Sequence, residues 1–281
     1  QKQQYLVPLA QGKKDGALYI GAFLLSEPEA GSDASSQHTS AEDKGDYYLL
    51  NGTKNWITNG SSASIYLVIA QTDASKGSRG INVFIVEKKW AGVEVGAKEN
   101  KMGIRGSDTH SISFTDVKVP KENRIGEEGF GFNFAMKTLN GGRIGIAAQA
   151  LGIASGAYEL ALAYSKQRKT FGKPIHEHQA IQFKLAEMAT NCYAGESATY
   201  RAAKDIEDRI QIRESEGSSH QEAELKGVEE YAIECSILKV AVSEDVQNCA
   251  DEGIQIFGGM GFSEDTPMES AWRDARISRI Y

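Results

Sequence analysis

Residues 23–33 (FLLSEPEAGSD) and 56–58 (WIT) put hydroxyls beside aromatic or apolar neighbours in a way that suits a ligand. The first stretch is an apolar run that breaks into Ser26, acidic residues, Gly31 and Ser32. It offers a polar rim beside an apolar wall, which fits a planar polar ring system or a carbonyl. Taken alone, the same residues also read as a turn capped by Ser and Asp. In the second stretch strand alternation puts Trp56 and Thr58 on one face, so a ring and a hydroxyl can address one ligand. A half-buried strand tryptophan is the plainer alternative. A third group, residues 168–173 (RKTFGK) with His178 and Gln179 beyond it, is a cationic cluster at a helix opening. Such a cluster can neutralise a pyrophosphate with help from free helix N–H groups, or can be a solvated helix end. Near the C-terminus, residues 251–262 read as a helix ending in Gly258 and Gly259, glycines that let backbone approach a partner closely.

The elements that must position these groups divide the chain. Residues 1–18 read as the tail of a preceding element. From Tyr19 short apolar runs follow one another at residues 22–25, 47–50, 54–58, 65–71, 81–86, 93–95 and 111–119. Gly, Asp and Ser clusters separate them, and Asn51-Gly52 reads as a hairpin turn. Strands at this spacing predict a barrel or sandwich over 19–124. After Pro120 the pattern becomes helical. Apolar and small residues recur at three and four over 132–168, 179–206 and 222–257, and a last short helix carries Arg273, Asp274, Arg276 and Arg279. This predicts an antiparallel four-helix bundle over 125–281. Residues 209–227 read as a solvated loop or helix extension. The fold class is therefore α+β, with the boundary near 120–128.

Composition narrows the function. A net charge of −7 lacks the basic excess that phosphate backbones demand, which argues against a nucleic-acid partner. No run of about 18 apolar residues is present, so no transmembrane segment is expected. The three cysteines form no CxxC pair and suit a reducing compartment. His176 and His178 have no further ligand at metal spacing, so no metal is expected. Gly258-Gly-Met-Gly does not follow a strand and is no nicotinamide fingerprint.

Five runs stand in order along nearly the whole chain: FLLSEPEAGSD, WITNG, TLNGGRIGIAAQALG (138–152), RKTFGK with His178-Gln179, and QIFGGMGF with RDARISRIY. Together they identify the chain as a member of the acyl-CoA dehydrogenase family, the third run being most similar to short-chain and very-long-chain members. The first run resembles the family's TEPxAGSD signature, with Ser26 for Thr and Glu29 for Gly. The resemblance implies FAD as cofactor, with Phe23, Leu25, Ser26, Trp56, Ile57 and Thr58 around the flavin ring. It implies Ser32, Asn140, Gly141, Gly142 and Arg143 on the acyl-CoA substrate. Arg168, Thr170 and Phe171, with His178 and Gln179, would reach the FAD of a neighbouring subunit in a homodimer or homotetramer. Gln255, Gly258 and Gly259 would line its adenosine end, and Tyr281 would also touch the cofactor. No catalytic base is expected within the chain. Gly142 fills the position some members use for it, and the glutamate of most members is expected directly after Tyr281, so these 281 residues alone are expected to be inactive. The N-terminal helical domain of the family is expected to be absent as well. The implied reaction is α,β-dehydrogenation of a fatty acyl-CoA to the trans-2-enoyl-CoA, with electrons leaving through an electron-transfer flavoprotein. The alternatives are an oxygen-using acyl-CoA oxidase, a non-catalytic scaffold or a flavin-free thioester-binding module. Bacterial cytoplasm or mitochondrial matrix would house it.

Overall fold

Strand β5 (Tyr47–Thr58) organises the first half of the protein, because its inward residues Tyr48, Leu50, Lys54 and Ile57 are buried while Trp56 and Thr58 face out. The computed structural model describes residues 1–281 as two compact units. One comprises 1–101 and 105–136, the other 102–104 and 137–281. This division falls inside a long helix.

The first unit opens with a short helix, α1 (Val7–Gln11), and a two-residue hairpin of β1 (Lys13–Lys14) and β2 (Ala17–Leu18). Then come β3 (Gly21–Leu24), β4 (Ser40–Asp43), β5, β6 (Ile65–Gln71), β7 (Ile81–Glu87), β8 (Val93–Lys98), β9 (Thr109–Pro120) and β10 (Arg124–Ile125). They form one mixed sheet in the order β10-β7-β6-β4-β5-β9-β8, with β3 parallel to β6. A single register pair, Ser40 with Gln71, joins β4 to β6. Strands on both sides of that narrow link turn apolar side chains onto one core. Leu24, Tyr66, Val68 and Phe84 meet Leu50, Ile57, Ile112 and Val119 there, with Tyr48 and Phe84 edge-to-face at 4.9 Å. This is the sandwich that the strand spacing predicts.

The Asn51-Gly52 hairpin does not form. β5 runs straight through it and pairs with β9 on both sides, with a register shift between Leu50 and Gly52. Gly52 takes φ 144°, and a Cβ there would lie 2.6 Å from Thr39 Cα. The glycine therefore serves a bulge and a close backbone approach rather than a turn. The real hairpin lies seven residues earlier between β4 and β5, where Gly45 (φ 90°) donates its N–H to Asp43. Local pattern named the right turn chemistry, but an Asn-Gly pair inside a strand looks the same as one at its end.

Helix α2 (Gly131–Gln167) starts in the first unit. Its Phe132, Phe134, Ala135 and Met136 pack with Leu25, Ile69, Ile81 and Val83 on the sheet. Gly131 permits this, since a Cβ would lie 2.5 Å from Asn82 Cα. The second unit holds the rest of α2, the small β11–β12 hairpin (Lys169–Thr170, Lys173–Pro174), and helices α3 (Gln179–Ser215), α4 (His220–Glu230), α5 (Ala232–Phe257) and α6 (Pro267–Ala275). Ala147, Ala150, Ala154 and Ala161 of α2 share a core with Leu185 and Met188 of α3 and Leu238, Val242, Val246 and Cys249 of α5. By length and composition alone α2 is apolar enough to cross a membrane (mean hydropathy 1.3), but those alanines make it a core helix of the bundle. The 209–227 segment is helical almost throughout. α3 extends to Ser215, and α4 begins with a capping box in which Ser219 and Glu222 bond each other's backbone N–H. α4 lies against α3, with Gly227 fitted over Ile210 and Glu230 bonded to Arg209 and Arg213. The predicted 222–257 helix is thus broken at Tyr231 (φ −101°, ψ 24°). The bundle's α6 is held by Arg273, which grips Glu269 with two bonds and donates to Met102 O, and by Asp274, which accepts from Ile104 N–H. All three cysteines are free thiols.

Candidate functional site

In the first unit the ends of β3 and β5 lie side by side. Asn55 N–H donates to Ser26 O at 2.9 Å, so the chain after β3 is tied directly to the strand carrying Trp56 and Thr58. A second register shift, between Lys54 and Ile57, leaves Trp56 at φ 61°. That conformation is costly for a large L-residue and here holds the indole outward, 63 % exposed. Thr58 is exposed and Phe23 and Ser26 are half-buried. The Ser26, Ser32 and Thr58 hydroxyls bond nothing within the chain, whereas Asp33 is committed to Ser35 and Ser36. Beyond Thr58 the turn is fixed by Asp108, whose carboxylate accepts from Ser61 N–H, Ser62 N–H and the Ser62 hydroxyl and contacts His110 Nε2 at 2.6 Å. Burial works against the Asp108 carboxylate, but these bonds and His110 outweigh it and hold its pKa below the ordinary range.

Leu25 and Ile57 behave differently from the expectation of ring contacts. Their side chains are buried, at 8 % and 2 % exposure, Leu25 against Ile69 and Val83 and Ile57 in the sandwich core. They can meet a ligand only through backbone.

Beneath this edge lies a cluster that the motif reading did not single out. Lys54 and Glu27 form a fully buried ion pair at 2.6 Å, with Gln37 beside them. Burial pulls the Lys54 pKa down to about 8 against the pull of Glu27. Burial pushes the other way on Glu27, but the Lys54 charge and the hydrogen bonds to it win and keep Glu27 below its ordinary value. Both groups are charged at neutral pH. Period two in β5 puts Lys54 on the same face as Trp56 and Thr58, so the sequence did not mark its inward direction; the register shift between Lys54 and Ile57 separates it from the outward Trp56.

In the second unit the remaining candidates fall into two groups along α2. At its C-terminal end Tyr164 stacks on Phe257 with centroids 4.1 Å apart, which brings the turn after α2 and the turn after α5 to one end of the bundle. Arg168 and Gln179 are exposed there, and Phe171 projects almost fully into solvent (96 %) from a tight turn at φ 50°. Thr170 Oγ1 meets His178 Nε2 at 3.3 Å, and Phe171 sits edge-on to the His178 ring. His178 is the N-cap of α3 but makes no side-chain cap, so the first N–H groups of α3 stay open to a ligand. On the α5 side Gln255 is exposed, Gly258 takes φ 61°, and nothing lies within 4 Å of a Cβ at Gly258 or Gly259. Further up α2, Arg143 donates to Asn140 Oδ1 at 2.8 Å and Ser236 Oγ at 3.0 Å, while Gly141 and Gly142 are exposed and open. Tyr281 belongs to this upper region. Its hydroxyl reaches Gln149 at 3.3 Å, some 15 residues and therefore about 20 Å along α2 from Tyr164. The structure does not bring it to the Gly258 end.

These features fit FAD. An exposed indole with free hydroxyls nearby suits a planar ring with a polar rim, and an uncapped helix start with Arg168 and open glycines suits a pyrophosphate and its nucleoside. No cluster of three or more His, Cys, Asp or Glu residues could hold a metal.

Two family models match the chain, the acyl-CoA dehydrogenase middle domain over 22–117 and the acyl-CoA dehydrogenase C-terminal domain over 129–281. The chain belongs to the acyl-CoA dehydrogenase family. It is 46 % identical over its whole length to the short-chain specific acyl-CoA dehydrogenase of Megasphaera elsdenii, covering 67 % of that protein. It is 42 % identical to the mitochondrial short-chain specific enzyme of Mus musculus, covering 62 % of it. The chain thus spans about two thirds of the length of these curated relatives, less than two thirds in the mammalian case. Among solved structures, an acyl-CoA dehydrogenase of Bacillus anthracis complexed with FAD superposes with a TM-score of 0.88, with 41 % identity over all of this chain and 47 % of that one. A structure described as the electron transferring flavoprotein of Acidaminococcus fermentans also matches, at 0.86 with 45 % identity over all of this chain and 67 % of that one.

Proposed function

We propose that this chain forms the middle and C-terminal parts of an FAD-dependent dehydrogenase that converts a short-chain fatty acyl-CoA to its trans-2-enoyl-CoA and hands electrons to an electron-transfer flavoprotein. The single observation that carries this is the outward Trp56 ring with the free Ser26 and Thr58 hydroxyls on two segments tied by the Asn55–Ser26 bond. The family and the FAD complex of a relative support the cofactor, and the names of the relatives support the short acyl chain.

The residues present divide the work. Trp56 and Phe23 pack on the ring and keep water from it, while Ser26 and Thr58 donate hydrogen bonds to its polar rim. Backbone at Leu25 and Ile57 completes that edge. Arg168, Thr170 and the open start of α3 hold the pyrophosphate, with His178 and Gln179 alongside. Gln255, Gly258 and Gly259 receive the adenosine end of the cofactor of a neighbouring subunit in a homodimer or homotetramer. Asn140 to Arg143 face the CoA portion of the substrate, and Ser32 donates near the thioester. When bound, FAD supplies the two-electron redox step. Removal of the proton α to the thioester needs a positioned base, and Gly142 supplies none.

Anaerobic titration of the full-length protein with short, medium and long saturated acyl-CoAs tests the reading. Bleaching of the oxidised flavin band, most effective with short chains, is the expected result. A colourless protein, or a yellow one that no acyl-CoA bleaches, overturns it, and oxygen consumption with peroxide release would replace the electron-transfer flavoprotein by an oxidase reaction.

A further inference from the structure

The ammonium of Lys54 donates to Glu27 Oε1 at 2.6 Å, to Gln37 Oε1 at 2.5 Å and to Leu25 O at 3.1 Å. Three N–H bonds meet three acceptors, and the side chain has no exposure to water. The carboxylate of Glu27 is equally committed, accepting from Lys54 and from the backbone N–H groups of His38 at 2.6 Å and Thr39 at 3.1 Å.

What the pair connects is more telling than its strength. Leu25 and Glu27 flank Ser26, and both are bonded to the same ammonium. Lys54 itself sits two residues before Trp56, at the point where β5 leaves regular register. Ser26 is therefore held on both sides by Lys54 and at its own carbonyl by Asn55. Stability alone does not call for this arrangement, since an apolar pair of similar volume serves a core at least as well as a buried ion pair. An apolar pair cannot bond the Leu25 carbonyl or the 38–39 amides, and so cannot set the distance between these segments.

We propose that the Lys54–Glu27 pair is a positioning device that fixes the Ser26 hydroxyl relative to Trp56 and Thr58, and thereby tunes how tightly and in what electronic environment a flavin ring is held there. The proposal rests on the flavin reading above. Neither residue touches the ring. Each acts through the backbone of the segment that does.

The test uses the full-length protein, with FAD as the probe. Wild type, Lys54→Met, Glu27→Gln and the double variant Lys54→Met/Glu27→Leu are compared by melting of the flavin-free form, FAD dissociation constant and the visible absorbance envelope of bound FAD. Lys54→Met leaves a buried carboxylate unpaired and is expected to melt well below wild type. The double variant removes both charges and is expected to recover part of that loss, since the Leu25 carbonyl and the 38–39 amides stay without partners. If the pair positions the ring, the recovered double variant still binds FAD roughly tenfold more weakly, the equivalent of about one well-made hydrogen bond, and its absorbance band moves. A double variant with wild-type FAD affinity and spectrum overturns the proposal. Should the double variant fail to fold, Glu27→Gln decides the matter. It keeps the size of Glu27 and one acceptor but loses a bond to the 38–39 amides, so a folded Glu27→Gln protein with an unchanged FAD spectrum and affinity overturns the proposal equally. Wild-type protein that binds no FAD at all overturns the flavin reading, and the positioning role falls with it.

Discussion

Trp56 joins an unfavourable backbone to an exposed ring, and the two contributions can be separated by replacing it with alanine and with glycine. At φ 61° an L-residue carries a strain of about 1–2 kcal/mol that glycine does not. Glycine in an extended segment loses about 0.5–1 kcal/mol to unfolded-chain entropy relative to alanine. The balance leaves Trp56→Gly more stable than Trp56→Ala by about 0.5–1 kcal/mol, the reverse of the usual order in a strand. Both variants lose the ring. With 63 % of Trp56 exposed, about a third of a tryptophan's ~250 Å² is buried, so the lost burial is on the order of 2 kcal/mol at ~25 cal/mol per Å². Wild type should therefore lead, glycine follow and alanine come last. Urea unfolding of flavin-free full-length protein reads the order, and melting should separate the two variants by about 2 °C. FAD affinity should drop by a similar factor in both, because the ring is absent from both. An alanine variant more stable than the glycine variant by about 0.5–1 kcal/mol, the usual order in a strand, would show that the Trp56 backbone is not strained, and the argument that strain holds the ring outward would fail.

Three further outcomes follow from the same geometry. Gly131→Ala places a Cβ 2.5 Å from Asn82 Cα and should destabilise the protein by about 1–3 kcal/mol, read by denaturant unfolding, whereas Gly141→Ala, with open space around it, should not. Glu27, whose carboxyl is held below its ordinary pKa, contributes stability that is fully present above the ordinary carboxylate range near 4.3 and is lost as pH falls through the lowered folded value. The melting gap between wild type and Glu27→Gln should accordingly be constant from neutral pH down to about 5 and shrink below it. Arg143→Met frees Asn140 and Ser236, both at partly exposed positions, so stability should fall by only about 1 kcal/mol while the KM for acyl-CoA rises and FAD content is unchanged. An unaltered KM would remove Arg143 from the proposed CoA contact.

The sequence by itself determined where most of the longer strands and helices lie and which residue types could face a ligand. Short apolar runs bounded by turn residues marked β6 and β7, the three-and-four spacing marked α2 and α3, and the runs around Ser26, Trp56 and Gly258 were legible because each is a local pattern with a local cause. The chain could not reveal alone how distant segments press on one another. Asn51-Gly52 became a bulge and not a hairpin because β9 pairs with β5 on both sides of it, and Thr39, just before β4, occupies the space a Cβ at Gly52 would need. Leu25, beside the half-buried Ser26, and Ile57, between the exposed Trp56 and Thr58, were drawn into two different cores. Tyr281 was placed against Gln149, away from the glycine turn only some 20 residues before it in sequence, by the packing of the last helical turn on α5, where Arg279 bonds Glu244. Lys54 shows the difference most clearly. Period two puts it on the face of Trp56 and Thr58, yet it alone points inward, and a buried ammonium is tolerable only because Glu27, Gln37 and the Leu25 carbonyl converge on it from three points on another stretch of chain, a convergence that exists only in the folded state.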